Sequence, residues 1–172
     1  MNNQEKNTYV RQHILAALLE LMRTQDFASI SIQTLADAAG VGRASFYRNY
    51  KSKEDVLQQE SVRLTDAWKA QFEQAHPDGT PQQGNEWLIS LLDFYKEHAA
   101  FYLALYHAGL SDIVLETILG YFDRAPETPN ALAYLNSAIG YMIYGWIQEW
   151  MRRGMQESGT ELARMLAESQ KT

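Results

Sequence analysis

The chain has 172 residues and a formal net charge of -6, with no cysteine. That length can bury a core without staples, and the missing cysteine excludes disulfides, thiolate metal sites and cysteine nucleophiles. The leading residues MNNQEKNTYVRQ are polar and no stretch approaches the roughly 18 consecutive apolar residues of a membrane span. The reading is therefore a soluble, cytoplasmic protein with no membrane partner.

A negative average argues against nucleic acid, because DNA-binding surfaces displace counterions with positive charge. The distribution reverses this. Through Asp55 there are seven Lys and Arg against six Asp and Glu, and beyond it eight against fifteen. Within residues 43–53, Arg43, Arg48, Lys51 and Lys53 meet no acidic residue at all, which is the local pattern of a phosphate-facing patch.

Apolar spacing reads as helix almost throughout, and no strict alternation suggests a strand, so the fold class is all-α. A first helix carries Val10, Ile14, Ala17, Leu18, Leu21 and Met22 and ends near Gln25 and Asp26. An extended run follows from Phe27 to Ile30, and Ser31 caps a second helix. A short third helix lies between Gly40 and Asn49. Ser52 caps a long fourth helix, with Asp55 placed as in a capping box, that runs to about Ala75. The Pro- and Gly-rich stretch at 76–85 is the clearest loop. A fifth helix is expected from Asn85 to His107, largely buried, with Leu88, Leu91, Leu92, Tyr95, Ala99, Tyr102 and Tyr106 on one face. A sixth starts near Ser111, another spans about Ala131 to Arg153, and the last opens on the capping box Ser158 to Glu161.

Residues 31–53, SIQTLADAAGVGRASFYRNYKSK, carry the functional signal. Two short helices crossing at a tight turn need a small residue where they approach, met by Ala36. A left-handed residue must end the first of them, met by Gly40. Leu35, Ala39, Val41 and Phe46 supply the shared core. Arg43, Ala44, Ser45, Tyr47, Arg48 and Asn49 then face outward. In a major groove Arg reads guanine, Asn reads adenine, and Ala or Ser sits against a thymine methyl.

These residues resemble the tetracycline-repressor (TetR) family over positions 8–57. Ser31, Ala38-Ala39-Gly40-Val41, Phe46-Tyr47, Tyr50 and Ser52-Lys53-Glu54 follow the family's order, with Asp26 and Gly42 as departures. The resemblance implies an N-terminal three-helix helix-turn-helix DNA-binding domain, residues 1–55. The long fourth helix would join it to a helical ligand-binding and dimerisation domain, residues 56–172. Arg43, Ala44, Ser45 and Asn49 would contact bases, while Ser31, Gln33, Tyr47, Lys51 and Lys53 would hold phosphates. Lys53 stands out because it opens a helix whose dipole also favours an anion. The implied partners are a palindromic double-stranded operator and a second copy of the chain, and the implied role is a bacterial repressor released by an effector.

Further along, YGWIQEWMRRGMQES and TELARML are similar to the closing two helices of a TetR subgroup, which pair with their copies as a four-helix bundle. Residues 134–151 agree by themselves. They are apolar on two faces, and such a helix needs two partners. Ala138, Met142, Ile143, Trp146, Leu162, Met165 and Leu166 are the expected dimer contacts. Tyr95, His98, Tyr102, Tyr106, Phe122 and Tyr141 are expected around a cavity for an apolar or aromatic effector, because each buried tyrosine hydroxyl needs a partner. The alternative is a body without a standing pocket, controlled by a partner protein. His13, His76, His98 and His107 have no metal-ligand spacing, Gly40-x-Gly42 lacks the rest of a nucleotide fingerprint, and Asp93 with Glu97 reads as a solvated helix face. No nucleophile motif is present, so neither a metal, a cofactor nor catalysis is expected.

Overall fold

A computed structural model describes residues 3–77, 86–122 and 124–169. The loop read at 76–85 lies, from residue 78 onward, outside the described residues, as does Asn85. Helices α1 (Asn3–Met22), α2 (Ile32–Ala38), α3 (Arg43–Asn49) and α4 (Lys53–Ala75) are followed by α5 (Glu86–Glu97) and α6 (Ala99–His107). Then come α7 (Asp112–Gly120), α8 (Asn130–Arg152) and α9 (Gly159–Ser169). Among the described residues there is no strand, and no helix is long and apolar enough to cross a membrane. The chain forms two compact units, Met1–Ser61 and Val62–Thr172, and α4 runs unbroken from the first into the second.

In the first unit α1, α2 and α3 close around Ile14, Leu18, Leu35, Ala36 and Phe46, all at most 0% exposed. The expected extended run before α2 is instead a 3-10 turn, Phe27–Ser29, whose carbonyls turn inward and are taken up by a side chain described below. Gly40 ends α2 at φ 64°, where Val41 N–H reaches back to the Ala36 carbonyl at 3.0 Å. A side chain there would be strained in the left-handed region, which is the reason for glycine.

In the second unit the expected single helix from 85 to 107 is two helices, broken at His98 (φ -102°, ψ 22°). Its apolar arc is too broad for one partner, so the break lets α5 pack on α9 while α6 packs on α8. Two side chains of α5 fasten α9. Asp93 accepts the Gly159 N–H at 2.8 Å, and Lys96 donates to the carbonyls of Met155 and Gln156. Asp93 is thus a half-buried tether, not the solvated face expected of it, since α9 covers that side of α5. Ser158 and Glu161 close the α9 N-terminus reciprocally, the Ser158 N–H reaching the carboxylate at 2.9 Å and the Glu161 N–H the hydroxyl at 3.2 Å.

The docking of α9 leaves no room at its first residue. A β-carbon on Gly159 would stand 2.4 Å from Asp93 Oδ1 and 2.6 Å from the Asp93 backbone nitrogen, whereas one on Gly120 would meet nothing. Gly159→Ala is expected to lower unfolding stability in urea by about 1–3 kcal/mol, and Gly120→Ala to change it by under about 1 kcal/mol. Equal midpoints for Gly159→Ala and wild type would refute this packing of α9 on α5.

Candidate nucleic-acid interface

Helix α3, the expected reader, is positioned by one buried ring. Phe46 is 0% exposed, and at about 100° per residue Ala44 and Arg48 stand roughly 160° away from it, on the outermost ridge of α3. Arg43 and Tyr47 form one flank. The guanidinium lies 5.6 Å over the tyrosine ring, with Nη2 donating to the hydroxyl at 3.4 Å. Ser45 and Asn49 form the other, half-buried flank. Arg48 Nη2 donates to Ser45 Oγ at 2.7 Å, and Asn49 Nδ2 donates to the Ser45 carbonyl at 2.8 Å. Ser31 caps α2, its hydroxyl accepting the Thr34 N–H at 3.0 Å, and exposed Gln33 donates to Asp37 at 2.8 Å. Lys51 is exposed.

Lys53, expected at a phosphate, is engaged within the chain. Its ammonium donates to the carbonyls of Phe27, Ala28 and Ile30 and lies 4.4 Å from the center of the Phe27 ring. An ammonium has three hydrogens to give, and two carbonyls of the 3-10 turn and that of Ile30 after it receive them. Lys53 therefore straps the start of α4 to the segment that leads into α2.

A second network was missed in the sequence. Arg11 Nε donates to the Tyr50 hydroxyl at 3.3 Å and Nη2 to Gln59 Oε1 at 2.7 Å. Gln59 donates to Asp55, whose other oxygen accepts the Lys51 N–H at 2.7 Å. Asp55 thus reaches back one residue beyond Ser52, and the chain of bonds fixes the turn carrying Lys51. Burial pushes the Tyr50 hydroxyl up from its ordinary pKa although Arg11 opposes this. Only the i, i+4 spacing of Asp55 and Gln59 hinted at such a network.

In the second unit a cavity of about 440 Å³ is walled by Thr65, Trp68, Lys69, Phe72, Glu73 and His76 from α4 and its end, and by Trp87, Leu91 and Tyr95 from α5. Ile118, Tyr121, Phe122 and Ile143 complete it. Of the six residues expected around an effector, Tyr95 and Phe122 line it. Tyr102 is 0% exposed and stacked on Tyr95 at 4.2 Å between ring centers, and burial holds the Tyr95 hydroxyl well above its ordinary pKa. His98 packs edge-on against Phe94 at the helix break, and Tyr106 sits beside His107. Tyr141 faces out on α8, 56% exposed. The aromatic wall supplied by α4 and by Trp87 was not anticipated. The wall's polar groups are largely matched: Trp68 Nε1 donates to Ser90 at 3.0 Å, Tyr121 to Asp66 at 2.5 Å, and His76 meets Glu86 at 3.4 Å.

The residues expected at a dimer face separate into two groups. Met142 and Met165 are exposed, as is Ala138, and Trp146, Leu162, Met165 and Leu166 line a groove of about 200 Å³ between α8 and α9. Ile143, 2% exposed, faces the interior and lines the cavity instead. It lies only about 100° around the helix from Met142, and the inward side is already covered by this chain's own core. Leu135 and Tyr134 extend the exposed apolar face. Among the described residues no cluster could hold a metal ion.

Residues 14–59 match the family model described as bacterial regulatory proteins, tetR family, and residues 82–171 match the model described as a transcriptional regulator C-terminal region. The HTH-type transcriptional regulator AlkX of Mycobacterium tuberculosis is 32% identical over 57 residues, 33% of this chain and 27% of that protein. The HTH-type transcriptional regulator EthR of Mycolicibacterium smegmatis is 48% identical over 44 residues, 26% of this chain and 20% of that protein. The match thus spans less than a third of either relative. Lin0861 from Listeria innocua has a similar structure, with a TM-score of 0.78 at 16% identity over 99% of this chain and 94% of that one. The fatty acid degradation regulator FadR from Bacillus halodurans gives 0.53 at 17% identity, over 90% and 91%. At such identities the likeness concerns the fold.

The two lysines at the α3–α4 turn separate by experiment. Lys53→Ala is expected to lower stability in urea by about 1–3 kcal/mol, the range for hydrogen bonds to a charged group. Lys51→Ala should leave stability unchanged and reduce the salt dependence of DNA binding by about one unit. A fully stable Lys53→Ala variant would return that residue to the phosphates.

Proposed function

On the premise that this chain belongs to the TetR family of bacterial regulatory proteins, we propose that it is a homodimeric repressor that binds a palindromic operator and lets go when an effector fills the cavity of its second unit. A transcriptional regulator with a helix-turn-helix DNA-binding domain is the established part, and the matched families and relatives are regulators, not enzymes. The observation that carries the reading is the exposed ridge of α3, which presents arginine and small side chains with no acid among them. Ser31, Gln33, Arg43, Ala44, Ser45, Tyr47, Arg48, Asn49 and Lys51 form the DNA face, in the cytoplasm where the operator lies.

Dimerisation rests on α8 and α9. Leu135, Ala138, Met142, Trp146 and Met165 make an apolar face that this chain leaves uncovered, and its copy supplies the cover. Two reading helices then sit about 34–36 Å apart, or a multiple of that, to enter successive major grooves. The effector is a neutral apolar or aromatic molecule, since the cavity wall is mostly aromatic and its one lysine, Lys69, lies 3.8 Å from Glu73. Because α4 supplies much of that wall and also starts at Lys53, an occupied cavity acts on the helix that leads to the reading head. A hundredfold loss of DNA affinity requires about 2.7 kcal/mol of coupling.

A gel-shift on DNA upstream of its own gene tests the reading: a retarded complex is expected, and none across that region would overturn it. Met142→Arg or Leu135→Arg should sediment as monomer where wild type is a dimer at micromolar concentration. The neutral dye N-phenyl-1-naphthylamine should fluoresce on binding and release DNA, and Trp87→Ala should weaken both responses several-fold while leaving dye-free DNA binding intact. Release by a partner protein with no dye binding would favour the pocketless alternative.

A further inference from the structure

We propose that Arg48, steadied by Ser45, is the residue that sets the operator's sequence by reading one guanine per half-site, with Ala44 against a nearby thymine methyl. This rests on the reading that α3 enters the major groove. Three residues of α3 have the chemistry for bidentate base contacts: Arg43, Arg48 and Asn49. Their surroundings differ. Asn49 is half-buried on the flank and its amide nitrogen already closes an i−4 bond to the Ser45 carbonyl. That bond uses only one of the two amide hydrogens, but it holds the amide against its own helix, at the edge of the DNA face and off the ridge from which a two-atom contact to adenine would be made. Arg43 lies across the Tyr47 ring on the opposite flank, which aims its charge at the phosphate wall of a groove.

Arg48 alone stands on the outermost ridge, exposed, with its guanidinium spending one hydrogen on Ser45 Oγ at 2.7 Å. Four of five donors remain, and the two needed for guanine O6 and N7 are among them. The serine limits the rotamers that must be frozen when the fork meets its base. One turn earlier on the same ridge, Ala44 has only a methyl to offer, so the backbone there can come close to the groove floor. The i, i+4 step advances about 6 Å along the helix axis, which corresponds to one or two base pairs at about 3.4 Å each. The half-site should therefore hold a guanine with a thymine within two base pairs of it.

The experiment is selection of a random duplex library, at one fixed salt concentration, by the full chain as wild type and as Arg48→Ala, Arg48→Lys, Asn49→Ala and Ser45→Ala. Wild type is expected to enrich one invariant guanine per half-site. Arg48→Ala should lose that preference, about 5- to 150-fold in discrimination, and keep the others. Arg48→Lys, which retains the charge but not the fork, should also relax it. Ser45→Ala should weaken it, and Asn49→Ala, even where it lowers affinity for all sequences as part of the DNA face, should still enrich the same guanine. A guanine kept in both Arg48 variants, or lost in Asn49→Ala, overturns the assignment. If wild type enriches no sequence, it is the DNA-reading role of α3 that fails, a result separate from a misassigned reader.

Discussion

Everything in the DNA-reading unit hangs on where α4 begins, and that is fixed by the ammonium of Lys53 on the carbonyls of Phe27, Ala28 and Ile30. The Phe27 carbonyl also accepts the Ile30 N–H that closes the turn, and the ammonium gathers it together with the carbonyls of Ala28 and Ile30. One side chain satisfies them and at the same time sets the first turn of α4 against the segment that delivers Ser31 to its cap. The Arg11, Gln59 and Asp55 network then holds the α3–α4 turn from the other side. With the C-terminal end of α3 fastened and Phe46 buried, Ala44 and Arg48 are held on the outward side.

The same helix continues through Ser61 and Val62 to a cavity whose wall it builds with Trp68, Phe72 and His76. The effector proposed for that cavity would therefore touch side chains of α4 itself. The tether of α9 to α5 through Asp93 and Lys96 gives the cavity's opposite wall a comparable connection to the face proposed for the second copy.

Much of this was legible in the sequence, and the failures have local causes. Helix periods, the Ser31 cap, the glycine at 40 and the capping box at 158 are short-range features, so they could be read directly. Lys53 could not, since its carbonyl partners lie more than twenty residues earlier and a lysine opening a helix looks equally suited to a phosphate. Two apolar faces on α8 were evident, yet which of Met142 and Ile143 faces inward depends on neighbouring helices. The tyrosines pointed to a cavity for an apolar or aromatic molecule. Their stacking, however, placed Tyr102 behind Tyr95, so that Tyr95 shares the cavity wall with Trp68 and Phe72 of α4, Trp87 of α5 and Phe122 just past α7.

The spacing of the two reading helices is the quantity on which the regulatory claim turns. Because the chain has no cysteine, a single Ala44→Cys substitution carries a nitroxide on each copy, and pulsed electron–electron resonance reads the distance between them. A distribution near 34–36 Å, or a multiple of it, that moves by several ångströms when N-phenyl-1-naphthylamine saturates the cavity is expected. An unchanged distribution while the dye's fluorescence reports a filled cavity contradicts control of DNA binding through α4.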